Sequence, residues 1–512
     1  MSRSFKFFFI FIVCFLFSAI SPIFKNNVNA SKFLKVELNK ELKKGNLLIG
    51  LKQHLGGKND DFSKNNALTF KINNGLLNLI SSNGVKYKSK QIKITWKNVP
   101  LKNPYEIERL VFGPYASYES AQKKANNLKE KGVKAFVAFP DNWEVWVNSA
   151  DNIPKDELEY KLFKKIYKAQ ITPFIEDENT SIKLQGPIYI SAKEDIKINN
   201  TNFGKRFYLI QDSYGTWTLI QRINFDNYLE GVLPHEIGPN SPLEALKAQA
   251  VVARTWAIYN SKRFNIDQYH LCITTQCQVY KPPSFKNVKV KKAINDTSNL
   301  IMTYGNKPIN SFYHGSNGGI AAGASESWEI INYPYFESSI DGSDALIKNF
   351  KLPFSNENAL INFLDFDKKD FYGDNHYLFR WERKIPSRFI KDKLITNKII
   401  SPQSNFEDIR VSSRGFSGRA ITVEIKIKDS NESILIEKDK IRRILNFLPS
   451  TLFTINKIND DLWLFKGGGF GHGVGLSQSG AIEMAELGFT YEQILNHYYQ
   501  GTKIQKIEIL SQ

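Results

Sequence analysis

Side chains able to do chemistry gather in three stretches of this sequence. The first is Pro234-His-Glu-Ile-Gly-Pro239, a turn-rich loop that presents Glu236. Phe225 to Leu233 before it reads as extended, and Ser241 after it reads as a helix N-cap, with Pro242 at the first helical position and Glu244 completing an S-x-x-E capping box. On that helix Leu246, Ala250, Ala253 and Ala257 form a small-residue stripe suited to close packing. Lys247 and Arg254 lie on one face, their Cα atoms about 10 Å apart along the axis. Both are placed to point toward the loop holding Glu236; the plain alternative is a solvated helix face.

The second stretch is His270-Leu-Cys-Ile-Thr-Thr-Gln-Cys277. The chain has 3 cysteines, and Cys14 belongs to the N-terminal segment. The spacing of the other two, with His270, suits a structural zinc, a short disulfide or free thiols. The third stretch, Gly469-Phe-Gly-His-Gly-Val-Gly-Leu-Ser-Gln478, lacks the GxxxxGK[ST] order of a phosphate loop. Its glycines allow a close backbone approach while His472, Ser477 and Gln478 present donors and acceptors. His472 equally suits a structural histidine bonding loop backbone, and His314, in its own glycine-rich loop, carries the same two readings.

The elements that must hold these groups belong to a chain of 512 residues, long enough for two to four domains. With 42% hydrophobic and 13% aromatic residues it is a folded protein. Residues 1–30 read as a secretory signal: Arg3 and Lys6 precede the apolar run Phe7 to Ile20, and Val28-Asn-Ala30 offers a cleavage site. The alternative is an uncleaved anchor, the sole membrane contact expected, because no later stretch is long and apolar enough to span. Export removes the nucleic-acid reading of the +18 charge and leaves anionic envelope polymers as the expected partner, or a bare Lys and Asn bias with no binding content. Leu47 to Val99 reads as β-rich. From Tyr105 to Glu176 the order is strand, helix, strand, strand, helix, strand, the second helix being marked by Leu158, Leu162 and Ile166. Asn349 to about Asn405 has no clear period and reads as an insertion.

Two resemblances follow. Val111-Phe-Gly-Pro-Tyr-Ala-Ser117 and Gly132-Val-Lys-Ala-Phe-Val137 look like the sporulation-related repeat, SPOR, whose members bind glycan strands lacking stem peptides. Tyr228-Leu-Glu-Gly-Val-Leu-Pro-His-Glu236 with Pro242-Leu-Glu-Ala-Leu-Lys-Ala-Gln-Ala-Val-Val-Ala-Arg-Thr255 resembles the stage II sporulation protein D family, which includes the amidase enhancers. Phe312-Tyr-His-Gly-Ser-Asn-Gly-Gly319 and Gly469 to Gln478 continue that likeness in the family's order, through Tyr491-Glu-Gln-Ile-Leu-Asn-His-Tyr-Tyr499.

The family resemblance implies a peptidoglycan lytic transglycosylase acting on denuded glycan, needing no cofactor for catalysis, with Glu236 as its single acid/base. Leu233, Pro234, Ile237 and Pro239 would keep that carboxyl protonated. Lys247, Arg254, His314, His472, Ser477 and Gln478 would bind substrate, the two cations taking the muramic carboxylate. Some members bind zinc at the position of Cys272 and Cys277, although Gln276 stands where a ligand His is common. The rival function is a non-catalytic wall-binding protein that helps an amidase. The fold expected is α+β: a sheet-rich catalytic core with a helix packed behind the catalytic loop and an inserted βαββαβ SPOR-like module. Its expected divisions are 1–30 signal, 31–103 β-rich, 104–178 module, 179–348 catalytic core, 349–405 insertion and 406–512 the rest of the core.

Overall fold

A computed structural model describes residues 38–507 apart from 58–66, 150–152, 155, 158, 178–179, 284–286, 355 and 429–431. The expected signal, 1–30, lies outside the described residues. Leu47-Leu-Ile-Gly-Leu51 is apolar wherever it has a side chain, the pattern of a strand covered on both faces. The strand Asn46–Leu55 is so placed: Leu47, Ile49 and Leu51 enter the main core, while Leu48 faces a second cluster with Val145, Val147, Phe264 and Tyr269. It pairs antiparallel with Trp217–Asn224, Ile49 opposite Gln221, and parallel with Leu271–Cys272. These strands form one end of a seven-stranded sheet that continues through Arg206–Gln211, Ile188–Ser191, Leu77–Ser81 and Lys86–Ser89.

A second sheet is built on Gln91–Tyr115, which pairs antiparallel with Tyr160–Asp177 from Ile94 opposite Ile175 to Phe112 opposite Tyr160. The helix Tyr118–Glu130, capped by Ser117, and the hairpin of Ala135–Ala138 and Trp143–Asn148 complete its outer end. The helix expected through Leu162 and Ile166 is therefore a strand, and the segment runs βαβββ instead of βαββαβ; Leu158 lies outside the described residues. A four-residue spacing fits one face of a strand as well as a helix, and here the long partner strand supplies the backbone bonds that decide it. Nor is the segment a core of its own: Leu110, Ala125, Leu128 and Trp143 share one cluster with Leu48, Ile210 and Ile220 of the main sheet.

Phe225–Glu236 is a helix, not the expected extended run. Phe225, Tyr228, Leu229, Val232 and Leu233 recur at helical spacing and are buried, and the Asn224 side chain accepts the Asn227 N–H at 2.9 Å as N-cap. The next helix, Leu243–Tyr259, carries the buried Leu246, Ala250, Ala253 and Ala257 stripe into the main core. Its expected capping box is not made: the Ser241 hydroxyl donates to the Ile237 carbonyl at 2.6 Å, and Glu244 accepts the Tyr491 N–H at 2.9 Å.

Mixed helix and sheet persist to the C-terminus. Residues 349–405 are built into the fold there. Trp381–Pro386 pairs with Leu462–Gly467, and Trp381, Ile390, Leu394 and Ile400 share a core with Ile409, Val423 and Phe465.

Candidate active site

Glu236 is the last residue of its helix, where the aligned peptide dipoles place partial negative charge that disfavours a carboxylate. Burial pushes its carboxyl above the usual range, opposed by the Val279 N–H, which donates to Oε1 at 2.6 Å, and by donation from Tyr313 and Gln478.

Separate stretches of chain bring these donors together. Tyr313–His314 and Leu476–Ser477 form a two-stranded parallel ladder, Tyr313 opposite Leu476, and Gln478 opens the helix that follows. Gln278 lies behind them, fully buried. Its Nε2 donates to the Tyr313 hydroxyl oxygen at 3.2 Å, and its Oε1 accepts the Tyr228 hydroxyl at 3.1 Å. With the Tyr313 oxygen already accepting from Gln278, its own hydrogen is free to point at Glu236. Burial, with the Glu236 charge second, pushes both phenols well above their ordinary value, so they remain donors.

Of the residues expected to bind substrate, Gln478 is brought to Glu236, and its Nε2 also donates to Gln249 Oε1 at 3.4 Å. Lys247 is engaged by Glu244 at 2.8 Å and Asp296 at 3.3 Å. The substrate-facing expectation for Arg254 is corrected. Its side chain is 0% exposed, and Nη1 donates to the carbonyls of Thr297 at 2.9 Å and Leu300 at 3.1 Å. The segment 297–300, packed over this face of the helix, covers Arg254. Ser477 is also corrected: it is fully buried and caps the helix Gln478–Glu486, accepting the Gly480 N–H at 3.3 Å. His314 is buried, with Nδ1 donating to the Val474 carbonyl at 3.2 Å. His472 Nδ1 accepts the Val474 N–H at 3.1 Å, and the ring lies 4.7 Å from Trp328. Burial and the Arg442 charge lower His472 to about 3, so it is neutral.

Cys272 and Cys277 are joined as a disulfide. His270 Nδ1 accepts the Leu48 N–H at 2.9 Å, and Nε2 lies 3.2 Å from the Leu38 carbonyl oxygen. The three therefore do not fit a zinc ion: the sulfurs are spent on each other and the imidazole on backbone. Among the described residues no group of three His, Cys, Asp or Glu side chains is placed to hold a metal. The bridge instead closes the turn that delivers Gln278 and Val279 to Glu236.

Sequence reasoning missed Tyr313, Gln278 and Val279. Tyr313 was within reach, since alternation in Phe312-Tyr-His314 puts Tyr313 and His314 on opposite faces. A backbone N–H such as that of Val279 has no sequence signal.

Residues 213–304 match the family described as Stage II sporulation protein, and residues 322–475 match a domain of unknown function, DUF8618. An uncharacterized protein of Brachyspira hyodysenteriae is 29% identical over 297 residues, covering 56% of this chain and 68% of that protein. The amidase enhancer of Bacillus subtilis is 30% identical over 294 residues, covering 54% of this chain but 40% of its own length. The stage II sporulation protein D of Bacillus subtilis is 27% identical over 305 residues, 56% of this chain and 76% of that protein. The family match includes the helix that ends in Glu236, and over about half of its length the chain is similar to the stage II sporulation protein D and amidase enhancer proteins.

Proposed function

We propose that this protein is an exported peptidoglycan lytic transglycosylase that cleaves denuded glycan between N-acetylmuramic acid and N-acetylglucosamine. The observation that carries the reading is the Glu236 carboxyl, held above its ordinary pKa by burial and served by an amide N–H, a phenol and a carboxamide, none of them a second carboxylate. A hydrolytic glycosidase needs two carboxyl groups, one for the leaving oxygen and one for water or the sugar carbon. One suffices when the nucleophile is the muramyl C6 hydroxyl. Glu236 gives its proton to the glycosidic oxygen as the C1–O bond breaks, then takes the C6 hydroxyl proton as the new C1–O6 bond forms. Tyr313 and Gln478 hold the carboxylate between these steps.

The outer sheet suits retention of the strand. Tyr105 stacks on Tyr167 at 5.3 Å, Arg109 lies 3.4 Å from the Trp146 ring centre and 4.4 Å from that of Phe163, and Lys165 sits 4.6 Å from the centre of Tyr167. Rings and cations together suit sugars carrying carboxylates. A second reading, a wall protein that enhances an amidase without cutting glycan, is favoured by the likeness to the Bacillus subtilis amidase enhancer. Digestion of denuded strands by the mature protein separates them. Mass spectrometry should find 1,6-anhydromuramic ends; intact strands would leave only the second reading, and new reducing ends alone would show hydrolysis and contradict both.

A further inference from the structure

On the far side of the Tyr313–His314 strand lies a cluster of cations that the glycan chemistry does not use. Arg419 is fully buried, and its Nη2 donates to the carbonyls of Asn317 at 2.8 Å and Ile320 at 3.1 Å. Its Nε and Nη1 have no partner among the described residues, and the same is true of Arg442 Nε and His314 Nε2. Arg442 makes neither a hydrogen bond nor an ion pair among the described residues. Buried groups of this kind are ordinarily satisfied, and an unpaired buried cation is costly.

The three side chains sense one another's charge: His314 is influenced by Arg419 and Arg442, and Arg419 by Arg442. The one carboxylate that acts on Arg419 is that of Glu326, whose oxygens already accept from Gly323 N–H at 3.1 Å, the Ser338 hydroxyl at 2.6 Å, and the N–H and hydroxyl of Ser417 at 3.1 and 2.6 Å. Two guanidiniums that repel each other, with open donors and no free counter-charge, need an anion. Glycine at 473 is part of the construction, because a Cβ there would lie 2.3 Å from Arg419 Nη2.

We propose that Arg419, Arg442 and His314 form a binding site for a small oxyanion, a carboxylate or phosphate group, with Nε and Nη1 of Arg419, Nε of Arg442 and, once it is protonated, Nε2 of His314 as its donors. The two sources of that chemistry in a cell wall are the lactyl carboxylate of muramic acid and phosphate. Arg442 is the entry side, since its residue remains partly exposed where Arg419 is sealed.

The test uses the mature full-length chain, titrated separately with inorganic phosphate, N-acetylmuramic acid and, as the uncharged control, N-acetylglucosamine. Melting temperature and the imidazole nitrogen signals of His314, assigned with H314Q, are the readouts. A site of this kind raises the melting temperature and turns His314 Nε2 from an acceptor into a protonated donor with at least one of the two anions, and with the control not at all. Tighter phosphate assigns the site to phosphate; tighter N-acetylmuramic acid assigns it to the lactyl group. R442Q should weaken binding by at least about tenfold while R442K recovers part of it, and E236Q should bind as the wild type does. Neither anion moving His314, or R442Q binding as well as wild type, would overturn the site.

Discussion

Tyr313 and His314 are neighbours on one short strand, yet the polar centres they enter are opposites. Tyr313 meets a single carboxyl surrounded by donors from Val279, Tyr313 and Gln478; His314 meets two guanidiniums whose open donors outnumber the one open acceptor, its own Nε2. Strand alternation alone separates them. The first centre is complete without a ligand, as an acid that must keep its proton before substrate arrives has to be. The second is incomplete without one, which is the mark of binding in place of reaction. Arg254 sharpens the contrast: it is as buried as Arg419, likewise spends one nitrogen on two carbonyls and leaves Nε and Nη2 without a hydrogen bond, but its Nη2 has Asp226 Oδ1 at 3.7 Å as counter-charge and it reads as a fold anchor.

The comparison can be broken most severely at Glu236. E236Q should cut turnover by at least about a hundredfold, because an amide neither gives nor takes the proton. Its melting temperature should not fall. The folded state holds the Glu236 proton more tightly than the unfolded chain, so this carboxyl loses stability as pH rises from the unfolded carboxyl range through its raised folded pKa, and the amide has no such loss. A variant that keeps its activity, or that unfolds, would show Glu236 to be structural.

Next in size is R254A, expected to cost about 1–3 kcal/mol of stability from the stranded Thr297 and Leu300 carbonyls. Urea denaturation measures it against R442Q, which should be near wild type when no anion is present. Equal losses in the two would erase the distinction between anchor and binding site.

The smallest effect expected is that of Y313F, about five- to tenfold in turnover for one hydrogen bond of roughly 1 kcal/mol. Its direction in pH is more telling than its size. Tyr313 favours the carboxylate, so its loss should move the alkaline limb of the activity profile to higher pH. A limb that stays put or moves down would remove Tyr313 from contact with the acid.

Much of the main sheet and the packed helix could be read from the sequence, because Leu47 to Leu51 and the Leu246 to Ala257 stripe announce burial by pattern. Phe225 to Glu236 was misjudged because Gly231 and Pro234 count as breakers, while the burial period that overrides them depends on a core contributed by other segments. The Leu162 and Ile166 spacing fits two periods, and a partner strand remote in sequence chose between them. At the site, sequence reasoning reached Glu236 and Gln478 but could not tell an inward arginine from an outward one. That depends on what covers the helix face, and a segment remote in sequence, 297–300, covers Arg254.

The central claim is that burial at a helix end keeps the Glu236 carboxyl protonated beyond the pH at which an ordinary glutamate ionises. The most direct measurement is a pH titration of the carboxyl carbon of labelled glutamate, taken as the difference between wild type and E236Q. A signal that titrates above the ordinary glutamate range, and higher still in Y313F, is what the geometry predicts. A signal that titrates within or below that range would mean a carboxylate at neutral pH, unable to give the first proton, and would contradict the account.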